Sequence, residues 1–281
     1  METMKPFIFL ITYLICTGLT AAENLLRHPE VVYFKSGDLT LGGELFKPTG
    51  SGPFPAILWN HGSAPGMLNS QASKIIGPLF TAQGWIFFMP YRRGQGLSSQ
   101  SGVYIGDEIT KAGKSGTEKA AASTMIRLLK GEQLDDQIAA LNWLKGQKFV
   151  QAKIIAVAGN SFGGIETILG AARETYCAAV DASGGAESWA KASELQILMK
   201  DSVRNSKSPI LFFQAENDYD LSPSKTLSLE MKSIGKISEM KIYPTFGKSN
   251  KDGHSFAYLG SSIWFNDVFK FIREHCEPNA Q

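Results

Sequence analysis

A strand, a sharp turn and a helix follow one another between residues 152 and 172, and this succession limits the possible folds more than any other part of the chain. Residues 152–158 form an apolar run rich in β-branched residues, which is typical of a strand buried on both faces. Residues 159–163 read Gly-Asn-Ser-Phe-Gly and fit the pattern G-x-S-x-G, and the apolar run at 165–172 predicts a helix. The pattern therefore predicts that Ser161 lies on a tight turn, with its hydroxyl clear of the sheet.

The residues around Ser161 fit the same interpretation. Gly159 and Gly163 leave room where a Cβ would collide with the neighbouring strand or helix. The backbone N–H of Phe162, at the start of the helix, would point to where a carbonyl oxygen becomes negative during acyl transfer. The alternative is a glycine-rich turn whose serine only caps the helix.

From residue 54 onward, predicted strands alternate with predicted helices. Apolar runs predict about eight strands, at 31–36, 39–46, 55–59, 85–89, 152–158, 177–180, 210–213 and 240–243. Helices are predicted at 68–82, 118–146, 165–172, 187–199, 223–233 and 261–275. This order predicts an α/β fold with a mainly parallel sheet, helices on both faces and two antiparallel strands at one edge. The short stretch between 180 and 210 leaves no room for a large cap domain, and residues 94–117 receive no firm assignment.

The first residues have the pattern of an export signal. Lys5 precedes an apolar run at 7–19, and small residues follow at 20–22. We therefore predict a signal peptide at 1–22, a single domain at 23–281, and an exported protein, either periplasmic or secreted. An uncleaved anchor is the alternative, and only that alternative would bring membrane contact.

Charge and cysteine content narrow the possible partners. The formal net charge of +2 at pH 7 gives no reason to expect a nucleic acid or an anionic membrane as partner. Cys177 and Cys276 would remain in the mature chain, and an exported protein permits a disulfide. Cysteines this far apart in sequence are more often separate buried thiols, which is our expectation. Neither CxxC, HExxH nor a His/Cys cluster at metal-ligand spacing is present, so we predict no metal and no cofactor.

A serine nucleophile requires a base, and the sequence offers four histidines. His254 lies between the last predicted strand and the last predicted helix. Loops at the carboxyl ends of parallel strands gather at one edge of the sheet, where ligands bind, so His254 is the expected base. His28 and His275 are expected to be solvated, and His61 is expected to hold its loop through its ring nitrogens.

The base in turn requires an orienting carboxylate, and three acids follow the seventh predicted strand: Glu216, Asp218 and Asp220. We choose Asp218, and expect the other two to be solvated or to cap a helix. A buried Asp218 would accept the N–H of His254 and fix its tautomer. The order Ser161, Asp218, His254, each just past a different strand, is the order expected of a triad on such a sheet.

The loop after the first parallel strand reads His61-Gly62-Ser63. The backbone N–H of Ser63, together with that of Phe162, is predicted to form an oxyanion hole. After the next strand, Arg93 is expected in a structural ion pair, and Tyr91 is a weaker candidate for lining the site.

Together these motifs resemble the α/β-hydrolase superfamily over about residues 39–275. The resemblance rests on residues 41–48, 52–56, 61–62, 93–98, 159–163, 216–218, 243–244 and 253–256. The nearest branch is the dienelactone hydrolase family, with similarity to the catalytic domain of prolyl oligopeptidase-type enzymes. The resemblance implies a Ser/Asp/His hydrolase without cofactor or metal. Dienelactone hydrolases themselves are similar to one another in using cysteine where this chain has Ser161, so dienelactone is not implied as the substrate.

Three functional hypotheses follow. The first is an exported carboxylesterase that cleaves small-molecule esters or related acyl bonds through an acyl-enzyme. The second is a small peptidase or amidase with the same triad. The third is a binding protein that keeps the fold without catalysis, and the presence of all three triad residue types argues against it. The acyl chain length, the leaving group and the oligomeric state are not predicted.

Overall fold

The computed structural model describes residues 28–63 and 67–277, and the predicted signal peptide at 1–22 lies outside them. The strands of this part of the chain are β1 (Glu30–Ser36), β2 (Leu39–Phe46), β3 (Phe54–Asn60), β4 (Ile86–Pro90), β5 (Val150–Asn160), β6 (Ala179–Ala182), β7 (Ile210–Ala215) and β8 (Ser238–Tyr243). They form one eight-stranded sheet in the order β1-β2-β4-β3-β5-β6-β7-β8. β1 and β2 are antiparallel to each other and β2 is antiparallel to β4, whereas the remaining pairs are parallel. The predicted α/β fold is thus confirmed.

The strand order places the functional edge of the sheet. After β3 the chain moves to β4 on one side, and β5 returns to the other side of β3. Such a reversal opens a crevice at the carboxyl ends of the two central strands, which is where ligands bind in open α/β sheets. The segments that follow β3 and β5 therefore lie next to each other.

Helices cover both faces of the sheet. They are α1 (Met67–Ala82), α2 (Ile105–Ser115), α3 (Glu118–Leu128), α4 (Leu134–Lys145), α5 (Phe162–Arg173), α6 (Ser193–Asn205), α7 (Ser222–Ser233), α8 (Asn250–His254), α9 (Phe256–Leu259) and α10 (Ser261–Cys276). Side chains of α1 and α10 pack in one apolar layer, and those of α3 to α7 pack in the other. None of the helices in the described part of the chain has the length and apolar character needed to cross a membrane.

Successive side chains of the central strands point alternately into the two apolar layers. In β3, Ile57 and Trp59 belong to the layer of α1 and α10, whereas Ala56 and Leu58 belong to the other layer. Because both faces are buried, the sequence of such a strand is apolar throughout, and the run was recognisable for this reason.

Three regions differ from the sequence expectations. Residues 94–117 contain a short 3-10 turn at Gly96–Ser98 and the helix α2. The single helix predicted over 118–146 is divided into α3 and α4 by a wider turn at Leu129–Gln133, where Gly131 leaves helical geometry (φ −101°, ψ −111°). The expected loop around His254 is the short helix α8, which begins at a capping box formed by Ser249 and Asp252.

A disulfide joins Cys177 and Cys276, so the expectation of separate thiols was wrong. Cys177 precedes β6 and Cys276 ends α10, and their Cα atoms are 4.8 Å apart. The sequence separation of 99 residues hides this proximity, which arises because α10 packs against the same face of the sheet as the residues next to Cys177.

Candidate active site

Ser161 occupies a strained turn between β5 and α5. Its φ of 56° and ψ of −120° lie outside the regions that most residues adopt. A Cβ at Gly159 would overlap the carbonyl of Gly163, and a Cβ at Gly163 would overlap the carbonyl of Asn60, so both glycines are required by space. The side chain of Ser161 makes no capping hydrogen bond to α5, which does not support the capping alternative.

His254 and Asp218 are in direct contact. Nδ1 of His254 lies 2.8 Å from Oδ1 of Asp218, whose side chain is fully buried. Asp218 follows β7 and His254 ends α8, so residues 36 positions apart are brought together at the carboxyl edge of the sheet. When the ring is neutral and its Nδ1–H donates to this carboxylate, Nε2 is the nitrogen that can accept a proton.

Further hydrogen bonds hold the Asp218 carboxylate. Gln214 donates to Oδ2 at 2.8 Å, the backbone N–H of Tyr219 donates to Oδ1 at 2.7 Å, and the Ser183 side chain is also hydrogen-bonded to it. Burial alone would raise the pKa of Asp218, but the contacts with His254, Ser183 and Gln214 outweigh it and lower the pKa. The sequence analysis did not identify Ser183. Its unusual feature is a positive φ of 62°, which is visible in the structure and not in the sequence.

Ser161 and His254 line the same cavity, which has a volume of about 190 Å³. Nε2 of His254 is buried and makes no hydrogen bond to any residue within 28–63 or 67–277, including Ser161. The structure thus brings the predicted base and nucleophile to one cavity without joining them. Catalytic hydrogen bonds of ligand-free enzymes are often long and shorten when substrate binds.

The other cavity-lining residues come from five segments, and most were not predicted: Gly62, Ser63, Asn160, Glu187, Tyr219, Lys251, Ser255 and Tyr258. The ring of Tyr219 meets the edge of the His254 ring, with centroids 5.2 Å apart. Glu187 and Lys251 bring one carboxylate and one ammonium to the cavity. Tyr91 does not line it, because its ring is buried and its hydroxyl donates to Glu44 at 3.0 Å.

His61 has the structural role predicted for it. It is fully buried, its Nδ1 lies 2.7 Å from the carbonyl oxygen of Gly62, and its Nε2 accepts from the backbone N–H of Arg92 at 3.1 Å. Burial, together with the charge of Arg92, lowers the pKa of His61 well below its ordinary value. The ring is therefore neutral at pH 7, with its proton on Nδ1, and it is absent from the cavity lining.

Ser63 and Phe162, the two predicted oxyanion donors, each line a cavity that Ser161 also lines. Phe162 is the first residue of α5, so its N–H has no acceptor within the helix, and it lines a small cavity next to Ser161. The N–H of Gly62 donates to the hydroxyl of Tyr258 at 2.9 Å. The N–H of Ser63 has no acceptor among the described residues, which leaves it as the unused donor of this loop. The oxyanion hole itself stays a prediction.

The expectations for Arg93, Asp220 and Glu216 agree with the structure, whereas His275 is half-buried against the ring of Phe271. Arg93 bonds Asp136 through Nε (2.9 Å) and Nη2 (2.6 Å), and Nη1 lies 3.2 Å from Glu132. Asp220 accepts from the first N–H of α7 at 2.8 Å, as expected of a helix-capping residue. Glu216 is exposed. Neither acid contacts His254 through a hydrogen bond, which supports the choice of Asp218.

Residues 42–267 match the model of the dienelactone hydrolase family, and no curated protein matches the chain. Among solved structures, the chain is similar to an acylaminoacyl peptidase from Pyrococcus horikoshii (TM-score 0.64, 18% identity), covering 92% of this chain and 44% of that one. It is also similar to the Pyrococcus furiosus esterase Pf2001, with a TM-score of 0.63 and 16% identity, covering 92% of this chain and 97% of that one. Est1E from Butyrivibrio proteoclasticus is similar with a TM-score of 0.59 and 15% identity, covering 87% of this chain and 98% of that one. The chain thus spans less than half of the peptidase but nearly all of both esterase-sized chains. At these identities the likeness shows the fold alone.

Proposed function

Because the chain belongs to the dienelactone hydrolase family, we propose that it is a serine hydrolase acting on carboxylic esters or related acyl bonds of small molecules. The proposed triad is Ser161, His254 and Asp218. The observation that carries the proposal is the one cavity lined by Ser161 and His254, with His254 bonded to the buried Asp218.

In the proposed mechanism, the Oγ of Ser161 attacks the carbonyl carbon while Nε2 of His254 takes its proton. The negative carbonyl oxygen accepts from the N–H groups of Phe162 and Ser63. His254 then returns the proton to the leaving group, and an acyl-enzyme remains on Ser161. Water, activated by His254, releases the acid. Asp218 holds the ring tautomer and stabilises the imidazolium, and no step requires a metal or a cofactor.

A small peptidase or amidase is the second candidate, because Glu187 supports it. Its exposed carboxylate lies on the cavity wall and makes no ion pair with any described residue. Such a group attracts an ammonium, and a substrate with a free amino group near its scissile bond carries one. At an exposed site the gain is small, about 0–1 kcal/mol, so we place this candidate after the esterase.

We also propose that the protein is exported and that residues 1–22 are a signal peptide. The disulfide between Cys177 and Cys276 supports export, because disulfides persist in oxidising compartments and are rare in the cytosol. Mass spectrometry of the protein recovered from a secreting host should find a mature chain beginning near residue 23. Recovery only of the full-length chain from the cytosol would contradict the proposal.

Labelling with a fluorophosphonate and a substrate panel tests the main proposal. We expect the adduct on Ser161, faster turnover of p-nitrophenyl esters than of aminoacyl anilides, and loss of both label and turnover in Ser161→Ala. Ser255→Ala, which removes another hydroxyl of the same cavity, should keep the label. A label elsewhere, or full turnover by Ser161→Ala, would exclude the mechanism. Faster anilide turnover would favour the second candidate, and an unlabelled, inactive wild type would favour a binding protein.

A further inference from the structure

Arg92 is a buried cation that hydrogen-bonds a single loop. Its side chain is 3% exposed and, unlike that of Arg93, hydrogen-bonds no carboxylate among the described residues. Its Nη1 donates to the carbonyl oxygen of His61 at 2.8 Å, and its Nη2 donates to that of Gly62 at 3.1 Å. Burying a guanidinium has a high desolvation cost, and two hydrogen bonds to carbonyl groups offset only part of it. A stabilising role alone therefore does not explain this residue.

The carbonyl of Gly62 and the N–H of Ser63 belong to one planar peptide unit. A donor that fixes this carbonyl therefore also fixes the direction of the N–H on the opposite side. The same oxygen lies 2.7 Å from the protonated Nδ1 of His61 and 3.5 Å from Nε2 of Gln95, so Arg92 and His61 are its two closer buried donors. Both donors draw electron density toward the oxygen, which polarises the N–H of Ser63 and strengthens it as a donor.

From this geometry we infer that Arg92 is a positioning residue that aims the N–H of Ser63 at the oxyanion of the tetrahedral intermediate. The inference rests on the proposed function. It also gives a role to the segment after β4, which the sequence left unexplained. From that segment, Gln95 donates to the carbonyl oxygen of Ser63 at 3.1 Å, and the hydroxyl of Tyr104 donates to the same oxygen. The carbonyl groups of two successive residues of the loop, Gly62 and Ser63, are thus both fixed by side-chain hydrogen bonds.

The charge of Arg92 acts in the same direction. The buried carboxyl of Glu166 is close enough to interact with it electrostatically, but desolvation by burial raises the pKa of Glu166 to about 8. At pH 7 this carboxyl is mostly protonated, and the other carboxylate that acts on Arg92, Asp136, is bonded to Arg93, so Glu166 neutralises little of the guanidinium charge. A positive charge behind the loop favours the negative oxygen that forms in front of it.

Arg92→Lys tests the inference, because a single ammonium cannot bond both carbonyls in the same geometry. With p-nitrophenyl acetate we expect kcat to fall by about 10²-fold, as for a lost oxyanion donor, with little change in KM. Inhibition by a trifluoromethyl ketone, whose adduct carries the oxyanion, should weaken by a similar factor. The acidic limb of the pH–rate profile should not move, because His254 and Asp218 are untouched.

Arg93→Gln is the matched control. It removes the neighbouring arginine and its bonds to Asp136, so it should lower the melting temperature while kcat and ketone inhibition stay at wild-type values. The inference is overturned if Arg92→Lys keeps wild-type kcat and ketone inhibition, or if its kcat falls while ketone inhibition is unchanged. In either case a wild type that still reacts with fluorophosphonate at Ser161 leaves the proposed function standing.

A measurement on the wild type covers the case in which Arg92→Lys does not fold. In ¹⁵N-labelled protein, formation of the ketone adduct should move the amide proton of Ser63 downfield, because that N–H then bonds an oxyanion. An unchanged Ser63 amide in the adduct would overturn the inference, since Arg92 would then be holding a peptide that takes no part in the reaction.

Discussion

The two sides of the cavity are built in different ways. On the proposed acid–base side, the roles fall to the side chains of Asp218 and His254, which meet at 2.8 Å. On the oxyanion side, the proposed donors are backbone N–H groups, and their direction depends on buried side chains such as Arg92 and Tyr258. The first side can be recognised from the types of residue in the sequence. The second depends on the orientation of backbone N–H groups, and many different side chains can fix that orientation.

The buried carboxyls of the two sides show the same contrast. Asp218 accepts from His254, Gln214 and the backbone of Tyr219, and its pKa is lowered. Neither carboxyl oxygen of Glu166 has a hydrogen-bond partner among the described residues, and its pKa is raised to about 8. Both groups are desolvated, so the hydrogen bonds decide which carboxyl stays ionised at pH 7.

The largest expected effect comes from removing the proposed base. His254→Ala should lower kcat/KM by about 10⁴-fold or more, because Ser161 then has no group to take its proton. Steady-state hydrolysis of p-nitrophenyl acetate measures this loss. His275→Ala is the control, since His275 lies near the end of α10 and outside the cavity lining, and it should retain wild-type activity. Comparable activity in both variants would show that His254 is not the base of the reaction.

Asp218→Asn is expected to cost slightly less, about 10³- to 10⁴-fold in kcat. The amide can present an N–H to Nδ1 of His254, which favours the tautomer with its proton on Nε2 and blocks proton acceptance. The same assay measures this effect. Asp220→Asn loses only the capping carboxylate of α7 and should change kcat little. A larger loss in Asp220→Asn than in Asp218→Asn would show that Asp220, and not Asp218, orients His254.

The sequence predicted the acid–base side because few residues could fill each role. Four histidines were available; only His61 and His254 followed predicted parallel strands, and His61 was expected to hold its own loop, which left His254 as the base. The glycines beside Ser161 were explained by space, and the overlaps at Gly159 and Gly163 show that reason in the structure. Periodicity also located the strands, because strands buried on both faces are apolar throughout.

The oxyanion side was only partly predictable. The pattern singled out Arg93, whose ion pair with Asp136 was expected, but gave no role to Arg92, because adjacent side chains after a strand point in opposite directions and the sequence does not say which turns inward. The helix α2 was missed because residues 94–117 are polar and rich in glycine. The disulfide was missed because a contact between residues 99 apart depends on the complete fold.

The disulfide lies outside both sides of the cavity, so its loss should separate stability from chemistry. Replacing Cys177 and Cys276 by serine should lower the free energy of unfolding by up to about 4.7 kcal/mol, the chain-entropy value for a loop of about 100 residues. Urea denaturation measures this change. At temperatures where the variant is folded, kcat should match the wild type, and a reductant should lower the stability of the wild type but not of the variant. A fall in kcat in the folded variant would mean that the disulfide also shapes the cavity.

The smallest expected effect concerns Glu166, behind the oxyanion side. Its pKa is raised by burial from an ordinary 4.5 to about 8 in the folded protein. Between these values the folded state keeps a proton that the unfolded state has lost, so stability falls as the pH rises. Glu166→Gln removes this penalty. It should unfold with nearly the wild-type free energy at pH 4.5 and be more stable than the wild type at pH 8, by up to roughly 4 kcal/mol.

Urea denaturation at several pH values measures the difference between Glu166→Gln and the wild type. Glu118→Gln, at an exposed position of α3, controls for the loss of one acidic group and should show no gain that grows with pH. If Glu166→Gln is less stable than the wild type at pH 8, the carboxylate is needed in its ionised form. Glu166 would then neutralise Arg92, and the positive charge behind the Ser63 loop would not be available to an oxyanion. The stability curve of one buried glutamate therefore tests the electrostatic half of the contrast between the two sides, without any assay of turnover.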